Sequence, residues 1–509
     1  MLRRLLGITS LKANIIANFI GNAWSALLNI VFLPLYLKYI GAEGYGLIGI
    51  FASLQVVLSL LDSGLSTTLN KEIATLNVLP NKEQQMRNLV KTLGCVYWAM
   101  AILAGLAALC LSPFLAKNWV KPENLTIETI TYAFILLSIS ITFQFQTGFY
   151  SGGLLGLQRQ ITLNGLRILF TTLRSVGALL VLIFISNSIL VFFAWALLIN
   201  VLQTFSFRYF LWMYLPITEG PALFDKQALK AIWRFAAGMT AIGLSSILLT
   251  QVDKIVLSKI LPLDEFGYYT FSFTVASVTY LIASPLSQSY FPKFTSLLAE
   301  GRLEELKKTY HQGCQMTTLL VLPFALFLVF FSKEILLIWT NNTQTVENTW
   351  QMISVISMAV ALHCLMFMPY ILCLAYNNTK IAFYTNLIIL IIFIPSIIFS
   401  AIHFGSLGGA VCWLIITIIY LCFNPYMVHR YFLKGEVFKW YWNDTIKPII
   451  ASLIILSLMK WFLSQNIFRV STTIFLLAVT GILVFSITLM MTKEVKENIF
   501  KAIQLRLKK

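Results

Sequence analysis

The sequence predicts an all-α integral membrane protein of about fourteen transmembrane helices: two parallel six-helix repeats, forming a two-lobed molecule, with two further helices at the C-terminus. Three observations predict it. Apolar runs of 18 or more residues recur along the whole chain, each long enough to cross a bilayer as a helix. The 509 residues are 58% apolar and only 11% charged, with a mean hydropathy of +0.81, where a soluble chain carries about 25% charged residues. Finally, the chain repeats itself at a fixed offset. The short alternating segments of a transmembrane β-barrel are absent.

Taken in order, the spans read 14–38, 46–70, 89–115, 129–155, 162–185, 189–214, 235–260, 267–290, 313–338, 350–376, 381–402, 407–428, 447–464 and 470–492. The first two flank a Gly-rich turn, Gly41-Ala42-Glu43-Gly44-Tyr45-Gly46. The first carries Asn14, Asn18, Asn22, Ser25 and Asn29 on one helical face, a stripe that should meet protein or water because lipid offers an amide no partner. Five prolines (Pro34, Pro285, Pro323, Pro369 and Pro395) interrupt spans. The longest connection, about residues 291–312, is charged and reads as a short amphipathic helix.

The net charge of +17 does not point to nucleic acid, because the basic residues sit in short connections between spans. With both termini on one side, that side holds 28 Lys and Arg and the other seven, while Arg174 and Lys254 lie inside spans and complete the 37. The bias places both termini in the cytoplasm of a multi-pass protein. The seven cysteines lie in apolar spans without a CxxC pair, so they read as packing residues and no metal site is expected. The start, MLRRLLGITSLK, lacks a cleavage motif, and the first span is expected to be retained.

Shifting the chain by 221 residues places Gly46 on Gly267, Lys38 on Lys259 and Arg159 on Lys380, and aligns EGYG with DEFG. Each half then holds six spans and enters the membrane in the same sense, as parallel repeats do. The expected divisions are an N-terminal lobe at 1–222, a C-terminal lobe at 223–440, and two extra helices with a basic tail at 441–509.

The stretches KYIGAEGYGLIGIFASLQVVLSLLDSGLSTTLNKEIA, SGGLLGLQRQITLN and QVDKIVLSKILPLDEFGYYTFS resemble the signature regions of bacterial polysaccharide exporters. These are the O-antigen-type oligosaccharide-lipid flippases of the multidrug/oligosaccharidyl-lipid/polysaccharide (MOP) exporter superfamily. The resemblance covers roughly residues 14–430, and the six-plus-six-plus-two pattern is also similar to the lipid II flippases. It implies a protein of the bacterial inner membrane that moves a polyprenyl-diphosphate-linked oligosaccharide between leaflets, in contact with membrane lipids and with polysaccharide polymerase machinery as a further partner.

Arg174 is the sharpest single residue. It lies 11 positions before Ile185, about 16 Å from that end of its helix and so near midplane. A guanidinium there costs at least about 2.5–3.5 kcal/mol unless paired or hydrated. Asn164, Arg167, Thr171 and Arg174 share one stripe. Arg174 and Arg167 are read as accepting a diphosphate or acidic sugar, or else as pairing with a carboxylate such as Asp62 or Asp253. Ser246, Thr250 and Asp253 share a face of the seventh span, and the 221 offset sets Ser246 on Ser25 and Thr250 on Asn29. They and Lys254 are candidate cavity residues. Asp253 and Lys254, being adjacent, are not expected to pair well with each other. Asp62 and Asp253 are the coupling or salt-bridge candidates. His363 reads as a core histidine, and of Gln144 and Gln146 at least one should line a cavity or bridge helices.

Two other classes are set against the exporter. A drug or organic-cation exporter of the same superfamily would favour carboxylates in its cavity. A membrane polysaccharide polymerase would need a large charged outer loop, and the outer loops here are short. No catalytic constellation, Walker A or G-x-G-x-x-G motif is present, so no enzyme and no cofactor is expected. Energy would come from H+ or Na+ coupling, membrane potential, or consumption of the product.

Overall fold

A computed structural model describes residues 11–77, 79–227, 229–230, 251–376, 378, 380–465, 470–492 and 494–496. Ser246 and Thr250, together with the side chains of Asn14, Asn18 and Asp62, lie outside the described residues. All regular structure among the described residues is helical, and nine helical segments are long and apolar enough to cross a membrane. The chain divides into two compact units, Met1–Gly267 and Tyr268–Lys509.

The first unit opens with α1 (Leu11–Leu76), two helices joined at Gly41 (φ 74°, ψ 174°). That conformation is open essentially to glycine alone. The expected six-residue turn is thus concentrated in one residue, and Gly44 and Gly46 are already helical. α2 (Glu83–Asn118) follows, then α3 (Ile127–Gly156), whose N-cap Thr126 accepts from the Thr129 backbone N–H at 3.2 Å. α4 (Gln160–Phe184) and α5 (Ile189–Tyr214) complete the first bundle, and residues 251–260 are helical again. α1 packs on α3 and α4, and α3 on α2 and α5, around Leu93, Tyr97, Phe149, Leu163 and Phe207. Between lipid-bathed helices such contact depends on small residues that let backbones approach. Gly152 and Gly156 supply it: a Cβ on either would stand 2.7–2.8 Å from the Ser66 and Asn70 carbonyl oxygens of α1.

The connection after α2 is fastened by Glu43, a buried carboxylate. It accepts backbone N–H bonds from Glu123 (2.9 Å), Asn124 (2.6 Å) and Leu125 (2.7 Å), and one from the Asn124 side-chain amide (2.9 Å). On the other side of the same loop, Lys121 Nζ donates to the Ile260 carbonyl at 2.8 Å, and Trp119 Nε1 to Ser258 Oγ at 3.0 Å.

α6 (Leu263–Ala299) runs from the end of the first unit into the second, which holds α7 (Leu303–Thr340), α8 (Thr343–Leu365), α9 (Phe367–Ala375) and α10 (Lys380–Phe432). α10 is itself two helices joined at Gly405 (φ 61°, ψ −148°). A single turn (Val437–Lys439) and a π-helical turn (Trp440–Ile446) lead into α11 (Lys447–Ser464) and α12 (Val470–Met491). α7 packs on α8, α11 and α12, over a core that includes Phe294, Tyr310, Leu372 and Trp440.

Two expectations are corrected here. Residues 291–312 form no separate amphipathic helix: α6 and α7 extend from either side and meet at a turn around Gly301 (φ 71°). Arg302 pairs at that turn with Glu300 and Glu305, and Lys307 pairs with Glu304 within the first turns of α7. And Asp253 and Lys254 do pair, Oδ1 to Nζ at 3.5 Å. Both are buried, and their flexible side chains close the angle that adjacent positions open, because burial leaves an unpaired charge far more costly.

Candidate functional site

A cavity of about 290 Å³ opens within the first unit, among α1, α3, α4 and α5. Its polar lining includes Gln55, Gln144, Ser151, Arg167, Arg174 and Gln203, and Ile141, Phe145 and Phe207 supply apolar wall. Among the described residues, no carboxylate is in the lining.

Arg174 reaches the cavity from the middle of α4, held by amides. Its Nη2 donates to Asn200 Oδ1 at 2.5 Å and to Gln203 Oε1 at 2.8 Å. Asn200 is fixed in turn, its Nδ2 donating to Ser140 Oγ at 2.5 Å. Because Asn200 and Gln203 are three apart on α5, both carbonyl oxygens face the same guanidinium. Arg174 Nε is buried and unbonded, and Arg167, one face along, makes no ion pair among the described residues. On the opposite wall Gln55 donates to Gln144. Gln144 is therefore both cavity-lining and helix-bridging, while Gln146 is buried with neither amide atom bonded.

The stripe Asn164, Arg167, Thr171 and Arg174 proves to be two half-stripes. Asn164 and Thr171 turn to the first helix of α1, where Asn164 stands against Gly21 and Thr171 lies 3.5 Å from Ser25. Arg167 and Arg174 turn to the cavity. Residues three apart on a helix differ by about 60° in direction, enough to divide one stripe between two neighbours.

Of the α1 stripe, Ser25 is half-buried against α4, whereas Asn22 and Asn29 are exposed. None of them lines the cavity, and neither do Asp253 and Lys254. Whether Arg174 meets Asp62 lies outside the described residues. Asp253, the other expected partner, is paired with Lys254. His363 is buried among the rings of Tyr280, Phe367, Trp413 and Tyr420 in the second unit, its Nδ1 unbonded, as a packing residue. Sequence reading missed Gln55, Asn200 and Gln203. The Asn200–Gln203 spacing inside an apolar span was the available signal.

Chemically, among the described residues, the cavity presents two guanidinium groups, amides and hydroxyls with no acidic counter-charge. It can attract an anion, fork onto phosphate or carboxylate oxygens, and hydrogen-bond neutral hydroxyls.

Residues 39–343 match the polysaccharide biosynthesis protein family. A protein of Shigella flexneri named as a candidate O-antigen transporter is 20% identical over 418 residues, covering 81% of this chain and 96% of its own. The succinoglycan biosynthesis transport protein ExoT of Rhizobium meliloti (strain 1021) is 22% identical over 462 residues, 87% of this chain and 86% of its own. Among solved structures, the lipid II flippase MurJ in an inward closed conformation matches 93% of this chain and 97% of its own with a TM-score of 0.69 at 16% identity. An inward-facing multidrug-resistance MATE transporter of the MOP superfamily matches 81% of this chain and 96% of its own with a TM-score of 0.65 at 12% identity. The chain belongs to the polysaccharide biosynthesis protein family.

Proposed function

We propose that this protein flips a polyprenyl-diphosphate-linked oligosaccharide from the cytoplasmic to the outer leaflet of the bacterial inner membrane. The observation that carries the reading is the cavity's chemistry: Arg167 and Arg174 with no carboxylate among the described residues of the lining. An organic cation would be repelled there, whereas a diphosphate would find a planar fork already aimed by Asn200 and Gln203. Gln55, Gln144, Thr147 and Ser151 add the neutral hydrogen-bonding groups that sugar hydroxyls need. Asn22 and Asn29, exposed on α1, suit a water-accessible path better than lipid, where an unpaired amide is costly. The relatives named for O-antigen and succinoglycan transport support this substrate class.

Alternating access of two six-helix repeats, within a fourteen-helix chain whose termini are cytoplasmic, is the mechanism this reading takes. The duplication has support beyond the sequence offset. A Cβ on Gly46 would stand 2.5 Å from the Leu263 carbonyl oxygen, and one on Gly267 would stand 2.0 Å from that of Ala42. The two contacts exchange under the same 221-residue shift, as they do across a local two-fold axis.

Purified protein in proteoliposomes, given defined polyprenyl-diphosphate glycans with and without ion gradients, tests the proposal. Translocation of at least one such glycan is expected. Failure with all of them, alongside uptake of small organic cations, would overturn it in favour of the drug-exporter reading.

A further inference from the structure

The second unit buries a titratable cluster that the cavity does not use. His311 of α7 is fully buried, and both its ring nitrogens face carboxylates. Nδ1 meets Asp444 Oδ2 in a short contact, and Nε2 lies 3.1 Å from Glu436 Oε2. Asp444 is buried on the π-helical turn, its other oxygen accepting from Gln315 Nε2 at 2.8 Å and its main-chain oxygen from Thr318 Oγ1 at 2.7 Å. Gln315 Oε1 accepts the Glu494 backbone N–H at 2.8 Å, just beyond α12.

Among the described residues, the other titratable groups facing the cluster are few. Lys439 Nζ lies 3.8 Å from Glu436 Oε2, and Lys307 adds a more distant positive field on the same carboxylate. The Tyr310 ring stands 5.4 Å from those of both His311 and His429, and Cys314 neighbours Tyr310. His429 is turned away, its Nδ1 on the Pro425 carbonyl at 2.6 Å.

Each of the two nitrogen–carboxylate contacts needs one bridging proton, whichever atom owns it. Two protons shared among one imidazole and two carboxylates leave the cluster with a net charge of −1. Loss of one gives −2 and sets a ring lone pair against a carboxylate where water cannot intervene. The segment that would then be released runs from Glu436 to Asp444 and leads directly into α11 and α12.

We propose that His311, Asp444 and Glu436 form a proton-binding site whose second proton fastens the 436–446 segment, and with it the last two helices, to α7. Glu436, whose side chain is 21% exposed, is the route by which that proton reaches solvent. As a source of proton coupling the site rests on the transport reading; as a proton-binding site it does not.

The test uses the full chain in nanodiscs without substrate. A trifluoromethyl-phenylalanine replaces Phe438, which is 75% exposed on the fastened segment, and its 19F resonance is followed from pH 4.5 to 9.5. A single-proton transition is expected, abolished in His311→Gln and moved by at least one pH unit in Glu436→Gln, which leaves the buried pair in place. Absence of a transition, or an identical one in His311→Gln, overturns the proposal. If His311→Gln does not fold, Glu436→Gln decides, and an unmoved midpoint is fatal. Because no glycan is present, failure here leaves the flippase reading standing, and failure of glycan transport leaves the proton site standing.

Discussion

Glu43 and Asn124 are joined twice, by the backbone N–H of Asn124 at 2.6 Å and its side-chain amide at 2.9 Å, both donated to the same carboxylate oxygen. With Glu123 and Leu125 completing the set, one buried acid organises the connection between α2 and α3. Glu43→Gln replaces one acceptor oxygen by an NH2 group among N–H donors. Since hydrogen bonds to charged groups contribute about 1.5–3 kcal/mol each, the substitution should cost on the order of 3 kcal/mol. Thermal unfolding in detergent should show a clear fall in Tm, and an unchanged midpoint would remove Glu43 from this role.

Arg174→Ala and Arg174→Lys should separate in the glycan flux assay. Alanine removes the charge and should lower flux at least about 10-fold, the effect of about 1.4 kcal/mol. Lysine keeps the charge but loses the fork, and should fall between the two. Equal flux in all three would make Arg174 a bystander.

Asn200→Ala removes one of the two amide oxygens that aim Arg174 and leaves Ser140 without its donor. Acting through Arg174, Asn200 is a positioning residue. Its loss should weaken glycan binding less than Arg174→Ala does. In the double variant Asn200→Ala/Arg174→Ala it should add nothing, which a double-mutant cycle measures.

Gly46→Ala and Gly267→Ala should damage the fold to similar extents, because each Cβ meets the other turn's main chain and cannot be accommodated by a rotamer change. Gly165→Ala, with nothing within 4 Å of its Cβ, is the control. Expression and Tm of the three variants compare them directly, and a tolerated Gly267→Ala would contradict the reciprocal contact.

At the Gly301 turn, the Arg302 and Ser296 side chains hold the Glu300 carboxyl below its ordinary value. A depressed folded-state value means the interaction is present above the unfolded carboxyl range and lost as pH falls through the lower, folded one. Carbon-13 NMR of the Glu300 carboxyl should place its midpoint below the ordinary value of 4.5, and Arg302→Ala should return it upward. A midpoint indifferent to Arg302 would show that the pair does not form in solution.

Much of this architecture was legible in the sequence, because in a membrane chain length and hydropathy are themselves the structural signal. The breaks near Gly41 and before Leu263, and the turn pair Gly46 and Gly267, followed from spacing. Partnership did not. Helical periodicity gives the direction of a side chain, not which helix stands opposite. The stripe on α4 therefore looked single, although Asn164 and Thr171 meet α1 while Arg167 and Arg174 meet the cavity. Lys460, in the apolar span 447–464, pairs with Glu334 of α7, which its own span does not indicate. Least visible was the contact of His311 with Asp444, 133 positions along the chain. Nothing local to either residue announces the other, and the π-helical turn that aims Asp444 inward has no spacing of its own to read.

The amides around Arg174 have one more consequence. Asn200 and Gln203 carry no ionisable proton, so these two contacts of the guanidinium keep their charge as acidity changes. An anion arriving from a neutral compartment and one departing into an acidic compartment would meet the guanidinium aimed by the same pair of amides. The proton-sensitive groups His311, Asp444 and Glu436 stand in the other unit, so affinity and responsiveness are assigned to different parts of the chain. Such a transporter could evolve new cargo without rewriting its energetics, and new energetics without losing its cargo.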